Sequence, residues 1–161
     1  MIEPIFKSDD YDDDATIKNV VHELKGYKGL VIKEQQLRAY HLAGQVYDGM
    51  PHSTTNVNHE EEKEITRLHL QEKNEFKMAM ITNAIKLMGQ VDEHSDQLAT
   101  VLQLQFVEFH KVEDCCYHYM QKYGVDLSKT TFYEYRKEAM FKFPMFYPHE
   151  LRVKKGDDGK K

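Results

Sequence analysis

The densest recognition chemistry in the chain lies between residues 128 and 137, where Ser128, Lys129, Thr130, Thr131, Tyr133, Glu134, Arg136 and Lys137 fall within three helical turns. These are donors, acceptors and cations suited to reading the edges of bases and neutralising phosphates. Lys129 and Thr130 stand in the first turn of an expected helix, where base edges are read. Arg136 and Lys137 lie a turn or two further on, suited to phosphate or guanine contacts. Backbone N–H groups near Ser128 and Lys129 would favour a phosphate. Tyr133 can stack or hydrogen-bond at the sugar-phosphate backbone, whereas Tyr135 falls on an apolar stripe and reads as core. Glu134 can accept from a cytosine amino group or stand as a solvated carboxylate.

Other reactive side chains offer less. His110, Cys115, Cys116 and His118 cluster within nine residues. Adjacent cysteines on a helix point about 100° apart, and the spaced cysteine pair of structural zinc sites is missing. Cys115 and Cys116 read instead as small core residues. The run Glu60-Glu61-Glu62 beside His59 sits at an expected helix start, which favours negative charge for structural reasons. The chain contains no His-Glu-x-x-His, no glycine-rich phosphate loop and no nucleophile elbow. No enzymatic activity, cofactor, metal or small-molecule ligand is therefore expected.

The elements that must position residues 128–137 follow from periodicity. The four prolines are Pro4, Pro51, Pro144 and Pro148, so residues 52–143 hold none, and apolar residues recur there at three and four. An all-α chain is expected. Ile17, Val20, Val21 and Leu24 form a first stripe, continuing through Tyr27, Leu30, Val31 and Leu37, with Gly26 and Gly29 as candidate breaks or kinks. Residues 44–57 are rich in turn formers and read as a surface loop. Asn58 with Glu61 predicts a capped start to a long helix ending near Gly89, with Ile65, Leu68, Phe76, Ala79, Met80, Ala84, Leu87, Met88 and Val91 on its buried face.

Leu98, Val101, Leu102, Gln105 and Phe106 then begin a helix, and Val112, Cys115, Cys116, Tyr119 and Met120 mark another. Gly124 supplies a left-handed turn residue, with Val125 and Leu127 expected to plug the turn into the core. Ser128 caps a last helix whose stripe is Phe132, Tyr135, Ala139, Met140 and Phe143, stopped by Pro144. Helix, short helix, glycine turn and capped helix is the layout of a helix-turn-helix, in which the helix after the turn enters the major groove.

Two stretches carry a family resemblance. Residues 102–106 (Leu-Gln-Leu-Gln-Phe), Glu113-Asp114-Cys115-Cys116 and residues 123–140, which include Gly124-Val125-Asp126-Leu127-Ser128 and Thr131-Phe132-Tyr133, resemble region 4 of sigma-70-type factors. Within that group the chain is most similar to the ArpU/RinA family of phage regulators, with their Ser-x-x-Thr-Phe/Tyr-Tyr element and a following helix that leads to Phe, here Ser128 to Phe143. Asp12 to Val20 and the pair Ala84-Ile85 extend the likeness. Phe109 stands where sigma-type lead helices commonly turn on Gly, and Gln105 where they often carry Arg.

The resemblance implies a sequence-specific DNA-binding activator of phage or prophage late genes for packaging, morphogenesis and lysis. Its site residues would be the eight between 128 and 137, its partners double-stranded DNA and host RNA polymerase, and its place the host bacterial cytoplasm. The alternatives are a DNA-packaging component such as a small terminase subunit, or a helical assembly protein that never meets DNA. Terminase subunits usually place the DNA-binding element first, and its C-terminal position here favours the regulator.

Composition supports this division of labour. The 161 residues carry 22 Lys plus Arg against 27 Asp plus Glu, net -5, which excludes a uniformly basic coat. Residues 128–161 hold nine Lys or Arg against five acids, a net of +4, so residues 1–127 carry -9. No stretch without Asp, Glu, Lys or Arg is longer than eleven residues, the length of the run from Gln97 to Val107. A membrane-spanning helix needs roughly 20 apolar residues, so no membrane association is expected. The N-terminus lacks a basic region followed by an apolar run, so no secretory signal is expected, and two adjacent cysteines suit a reducing compartment.

Four regions are therefore expected. Residues 1–15 form an acidic, disordered leader. Residues 16–95 form a helical part for homo-oligomerisation or partner binding. Residues 98–144 form the helix-turn-helix, and residues 145–161 a basic, flexible tail.

Overall fold

The computed structural model of the protein describes residues 10–46 and 57–156. Among these the chain is mostly helical. Helix α1 spans Asp13–Val46, α2 Val57–Gly89, α3 Glu93–Leu102, α4 Val112–Tyr123 and α5 Lys129–Lys142. A π-helical turn, Gln103–Val107, follows α3, and a 3₁₀ turn, Phe143–Met145, follows α5. Two short strands, β1 (Tyr11–Asp12) and β2 (Val153–Lys154), pair antiparallel with Tyr11 opposite Lys154. The helical expectation holds at this level. The loop expected over residues 44–57 falls largely outside the described residues.

The chain divides into two compact units, residues 1–27 with 80–161 and residues 28–79. This grouping differs from the expected division at 95–98, because the start of α1 and the end of α2 join the C-terminal helices in one core. In the first unit Val20, Leu24, Ile81, Met88, Leu98 and Phe143 are fully or almost fully buried. A second cluster joins Val101, Leu104, Cys115, Tyr119, Leu127 and Phe132, with Tyr135 packed against it. Each such Leu or Phe side chain contributes about 1.5–3 kcal/mol on burial, which sets these helices in place.

Local chemistry fixes the ends. The Asp12 carboxylate accepts from the Ala15 N–H at 3.1 Å and opens α1 at Asp13, inside the leader expected to be disordered. The Thr16 hydroxyl donates to the Asp12 carbonyl at 2.7 Å and accepts from the Val153 N–H at 3.1 Å. Residues 10–15 and 145–156 are thus tied together, contrary to a disordered leader and flexible tail over these residues. The Asn19 amide donates to the Leu151 carbonyl at 3.0 Å, and Tyr147 and Leu151 are buried. Residues 1–9 and 157–161 lie outside the described residues.

Helix α1 runs unbroken through Gly26 and Gly29, so neither breaks it. A glycine in a helix interior costs only about 1 kcal/mol, which packing of Leu24 and Tyr27 outweighs. Helix α3 begins at Glu93, five residues before its expected start, because Asp92 caps it: its carboxylate accepts from the Ser95 N–H at 2.7 Å. That bond is the largest cause holding the Asp92 carboxyl below its usual range. Gly89 permits the close approach of α2 to α3, since a Cβ there would stand 3.0 Å from that of Ala99.

The second unit is an antiparallel hairpin of the end of α1 and the start of α2, and its interior is polar. Asn74 is buried and donates to the Leu30 carbonyl at 2.8 Å, and Gln71 donates to Glu34 at 3.3 Å. Arg67 holds Glu64 through two bonds at 2.6 and 3.0 Å, the first cause of the lowered Glu64 carboxyl, and His41 lies 3.5 Å from the same carboxylate. The expected buried face of α2 is corrected here and further along the helix. Ile65, Leu68, Phe76 and Leu87 are exposed, as is Val91 beyond it. Ala84 and Met88 are buried as expected, and Asn74, Ile81 and Ile85 take the buried places of the others.

Candidate nucleic-acid interface

The candidate interface residues lie on α5, which is held by the elements around it. Helix α3 packs most extensively against α5, and the π turn and α5 both pack on α4. The π turn closes with the Glu108 N–H donating to the Gln103 carbonyl and the His110 N–H to the Leu104 carbonyl, each at 3.0 Å. Between them Phe109 takes a left-handed φ of 60°. This is the position where the resembling lead helices turn on Gly. The turn is made here by a non-glycine residue whose ring packs near Tyr27, with centroids 6.2 Å apart.

A polar cluster locks α3 to α4. The Tyr123 hydroxyl donates to Asp96 at 2.5 Å and pairs with the Thr100 hydroxyl at 2.8 Å, while Lys122 donates to Thr100 at 2.8 Å. Burial first, then the bond to Asp96, raises Tyr123 to about 12. Gly124 then ends α4 in the left-handed conformation, φ 70°, its N–H donating to the Met120 carbonyl at 2.8 Å. Leu127 is buried as expected. Val125 is 61% exposed, a correction: of the two side chains only Leu127 joins the buried cluster around Phe132.

Ser128 caps α5. Its hydroxyl oxygen accepts from the Thr131 N–H at 3.1 Å and its proton goes to the Thr131 hydroxyl at 2.9 Å. Ser128 and Thr131 thus satisfy one another. Phe132, Ala139 and Met140 turn into the core and Tyr135 is half-buried, edge-on to His94 at 5.5 Å. The opposite side of the helix carries Lys129, Tyr133 and Lys137 at four-residue intervals, with Thr130 and Glu134 alongside, and all five are exposed. Residues at that spacing share one face.

Two cations on α5 are already engaged. Lys129 donates to Glu113 on α4 at 2.8 Å, the largest cause both of the lowered Glu113 carboxyl and of the raised Lys129 ammonium. Arg136 is half-buried, donates to Gln105 of the π turn at 3.3 Å and lies 5.0 Å from the centre of the Tyr133 ring. Gln105, singled out in the sequence as a departure from Arg, therefore positions an arginine supplied by α5. Nothing in the sequence marks Glu113 as the partner of Lys129, since no local pattern announces a contact sixteen residues away. Lys137 has no ion-pair partner among the described residues. Lys142 is buried between Ser95 and Glu138, so its charge belongs to the core, and Arg152 is held by Glu150 over the Tyr11 ring.

The histidine and cysteine cluster has a different character. The His110 and His118 rings lie 4.4 Å apart, and the Cys115 thiol donates to the His110 carbonyl at 3.6 Å. Burial pushes Cys115 up to about 11, the behaviour of a packed thiol. Among the described residues no group of three or more His, Cys, Asp or Glu is arranged to hold a metal ion. No described helix is long and apolar enough to cross a membrane. No family model, curated protein or solved structure matches the chain.

Proposed function

We propose that the chain is a sequence-specific DNA-binding protein that activates late genes of a phage or prophage, reading DNA through a sigma-region-4-like helix-turn-helix made of α4, the Gly124 turn and α5. The observation that carries this reading is the division of α5 into two faces. Phe132, Ala139 and Met140 on its apolar side are spent on the core, and its other side presents Lys129, Thr130, Tyr133, Glu134 and Lys137 to solvent. Capping at Ser128 presets the first turn of that helix, where base edges are read. Thr130 and Glu134 are the side chains for base edges, and Lys129 and Lys137 for phosphates. Arg136, braced by Gln105 and Tyr133, is preorganised for a guanine or a phosphate.

Activation of late genes rests on the ArpU/RinA resemblance, as does contact with host RNA polymerase in the bacterial cytoplasm. The acidic remainder of the chain suits protein partners better than DNA. The test compares binding to a duplex taken from upstream of a phage late operon with binding to its scrambled sequence over a salt series. The reading predicts a specificity ratio well above unity and log K falling with log salt. Arg136→Ala should weaken binding to the operon duplex by about 1–3 kcal/mol. Equal affinity for both duplexes would favour a packaging component, and no binding to either a helical assembly protein.

A further inference from the structure

Helix α5 carries two carboxylates, Glu134 and Glu138. Glu138 is held from two sides, by His94 at 3.0 Å and by Lys142 at 3.7 Å. Glu134 is exposed, and among the described residues neither an ion pair nor a hydrogen bond holds its side chain. It stands about 140–160° around the helix from the buried Ala139 and Phe132, and within about 60° of Thr130 and Lys137. Its carboxylate therefore points straight out from the exposed face. The cations that could have neutralised it along the helix are turned elsewhere, Lys129 to Glu113 and Arg136 to Gln105.

We infer that Glu134 fixes one base pair of the recognised sequence by accepting from the amino group of a cytosine and rejecting the other three bases at that place; this rests on the proposed reading of α5 as the helix that enters the major groove. There the carboxylate lies between two rows of phosphates. An ionised carboxylate accepts hydrogen bonds and donates none, so the acceptor edges of guanine and thymine repel it. The donors on the groove floor are the amino groups of cytosine and adenine. Adenine sets its N7 acceptor beside the amino group, so a carboxylate that takes a proton with one oxygen meets a lone pair with the other. Cytosine has a carbon-bound hydrogen on that side instead. Thr130 discriminates less, because a hydroxyl both donates and accepts, and Lys129 and Lys137 meet phosphates, which carry no sequence. The negative charge of Glu134 thus acts against every duplex that lacks the cytosine, as well as in favour of the one that has it.

The experiment is enrichment of duplexes from a random-sequence pool by the full chain, as wild type, Glu134→Ala and Glu134→Gln. Both substitutions fall on an exposed side chain without a partner among the described residues, so the fold is retained. The wild type is expected to enrich a motif containing a C·G pair whose replacement by any other pair weakens binding about fivefold or more. Glu134→Ala should enrich the same motif with all four pairs accepted at that one place, and should bind unselected duplex more tightly. Glu134→Gln should change the preference there from cytosine to adenine, because an amide is bidentate to adenine N6 and N7. A wild type that enriches no motif would overturn the reading of α5 and the role of Glu134 together. A motif unchanged in both variants would overturn the role of Glu134 alone and leave α5 as the reader. Loss of the whole motif in Glu134→Ala, with helical circular dichroism intact, would overturn the assignment to a single base pair.

Discussion

The two units solve the problem of stability in opposite ways. Residues 10–27 with 80–156 bury Leu24, Ile81, Met88, Leu98, Phe132 and Phe143 almost completely and leave polar side chains outside. Residues 28–79 bury Glu34 and Asn74 and leave Ile65, Leu68 and Phe76 outside. An amphipathic pattern thus reports which face is apolar and not which face the chain itself covers. A unit with its own core can hold an interface such as α5 rigidly. A unit whose apolar residues face outward is held by polar contacts, such as those of Asn74 with the Leu30 carbonyl and Gln71 with Glu34.

The contrast is broken most severely from the first unit. Phe132→Ala empties a fully buried site and should cost about 3–5 kcal/mol in urea unfolding, whereas Phe76→Ala, at a 67% exposed site, should cost well under 1 kcal/mol. Comparable losses at both positions would erase the distinction. Smaller is Gly124→Ala, which forces a Cβ into a left-handed residue and should cost about 1–2 kcal/mol.

Alkali offers a comparable probe of the first unit. Tyr119, Tyr123 and Tyr147 are each raised to about 12, chiefly by burial. Their folded values lie above the unfolded value near 10. Their contribution is therefore fully present below pH 10 and is lost as pH rises through 12. Absorbance of tyrosinate should appear together with unfolding in that window, and ionisation of all tyrosines near pH 10 with the fold intact would contradict the burial. The smallest expected effect sharpens the comparison from α1. Gly26 and Gly29 have open space around them in a continuous helix, so Gly26→Ala and Gly29→Ala should each add about 0.5–1 kcal/mol of stability.

Much of the first unit was legible. Gly124, Ser128 and the stripe Phe132, Ala139, Met140 and Phe143 are local signals: a left-handed turn, a cap and a 3.6-residue period. Helix α2 was legible in its length but not in its orientation, because it carries apolar residues on two sides and the periodicity of Ile65, Leu68 and Phe76 is as regular as that of Ile81, Ile85 and Met88. Gly26 and Gly29 misled as possible breaks, since propensity is weaker than packing. The antiparallel pairing of Tyr11–Asp12 with Val153–Lys154 joins residues more than 140 apart, with too few residues for any pattern.

Of the candidate site, the exposed side of α5 could be read from spacing. Its engagement by Glu113 and Gln105 could not, since both contacts come from the way α4 and the π turn pack. The ion pair has a consequence for binding. Freeing Lys129 by Glu113→Gln should raise affinity for any duplex at low salt and steepen the salt slope by about one unit. A slope unchanged from the wild type would mean that Lys129 meets no phosphate.

On the proposed reading DNA meets α5 and not the hairpin. Amide chemical shifts recorded as duplex DNA is added test it directly. The account predicts perturbations concentrated at Lys129, Thr130, Tyr133, Glu134, Arg136 and Lys137, with residues 59–79 unmoved. Perturbations confined to residues 59–79, or spread evenly over the chain with none favouring α5, would contradict it.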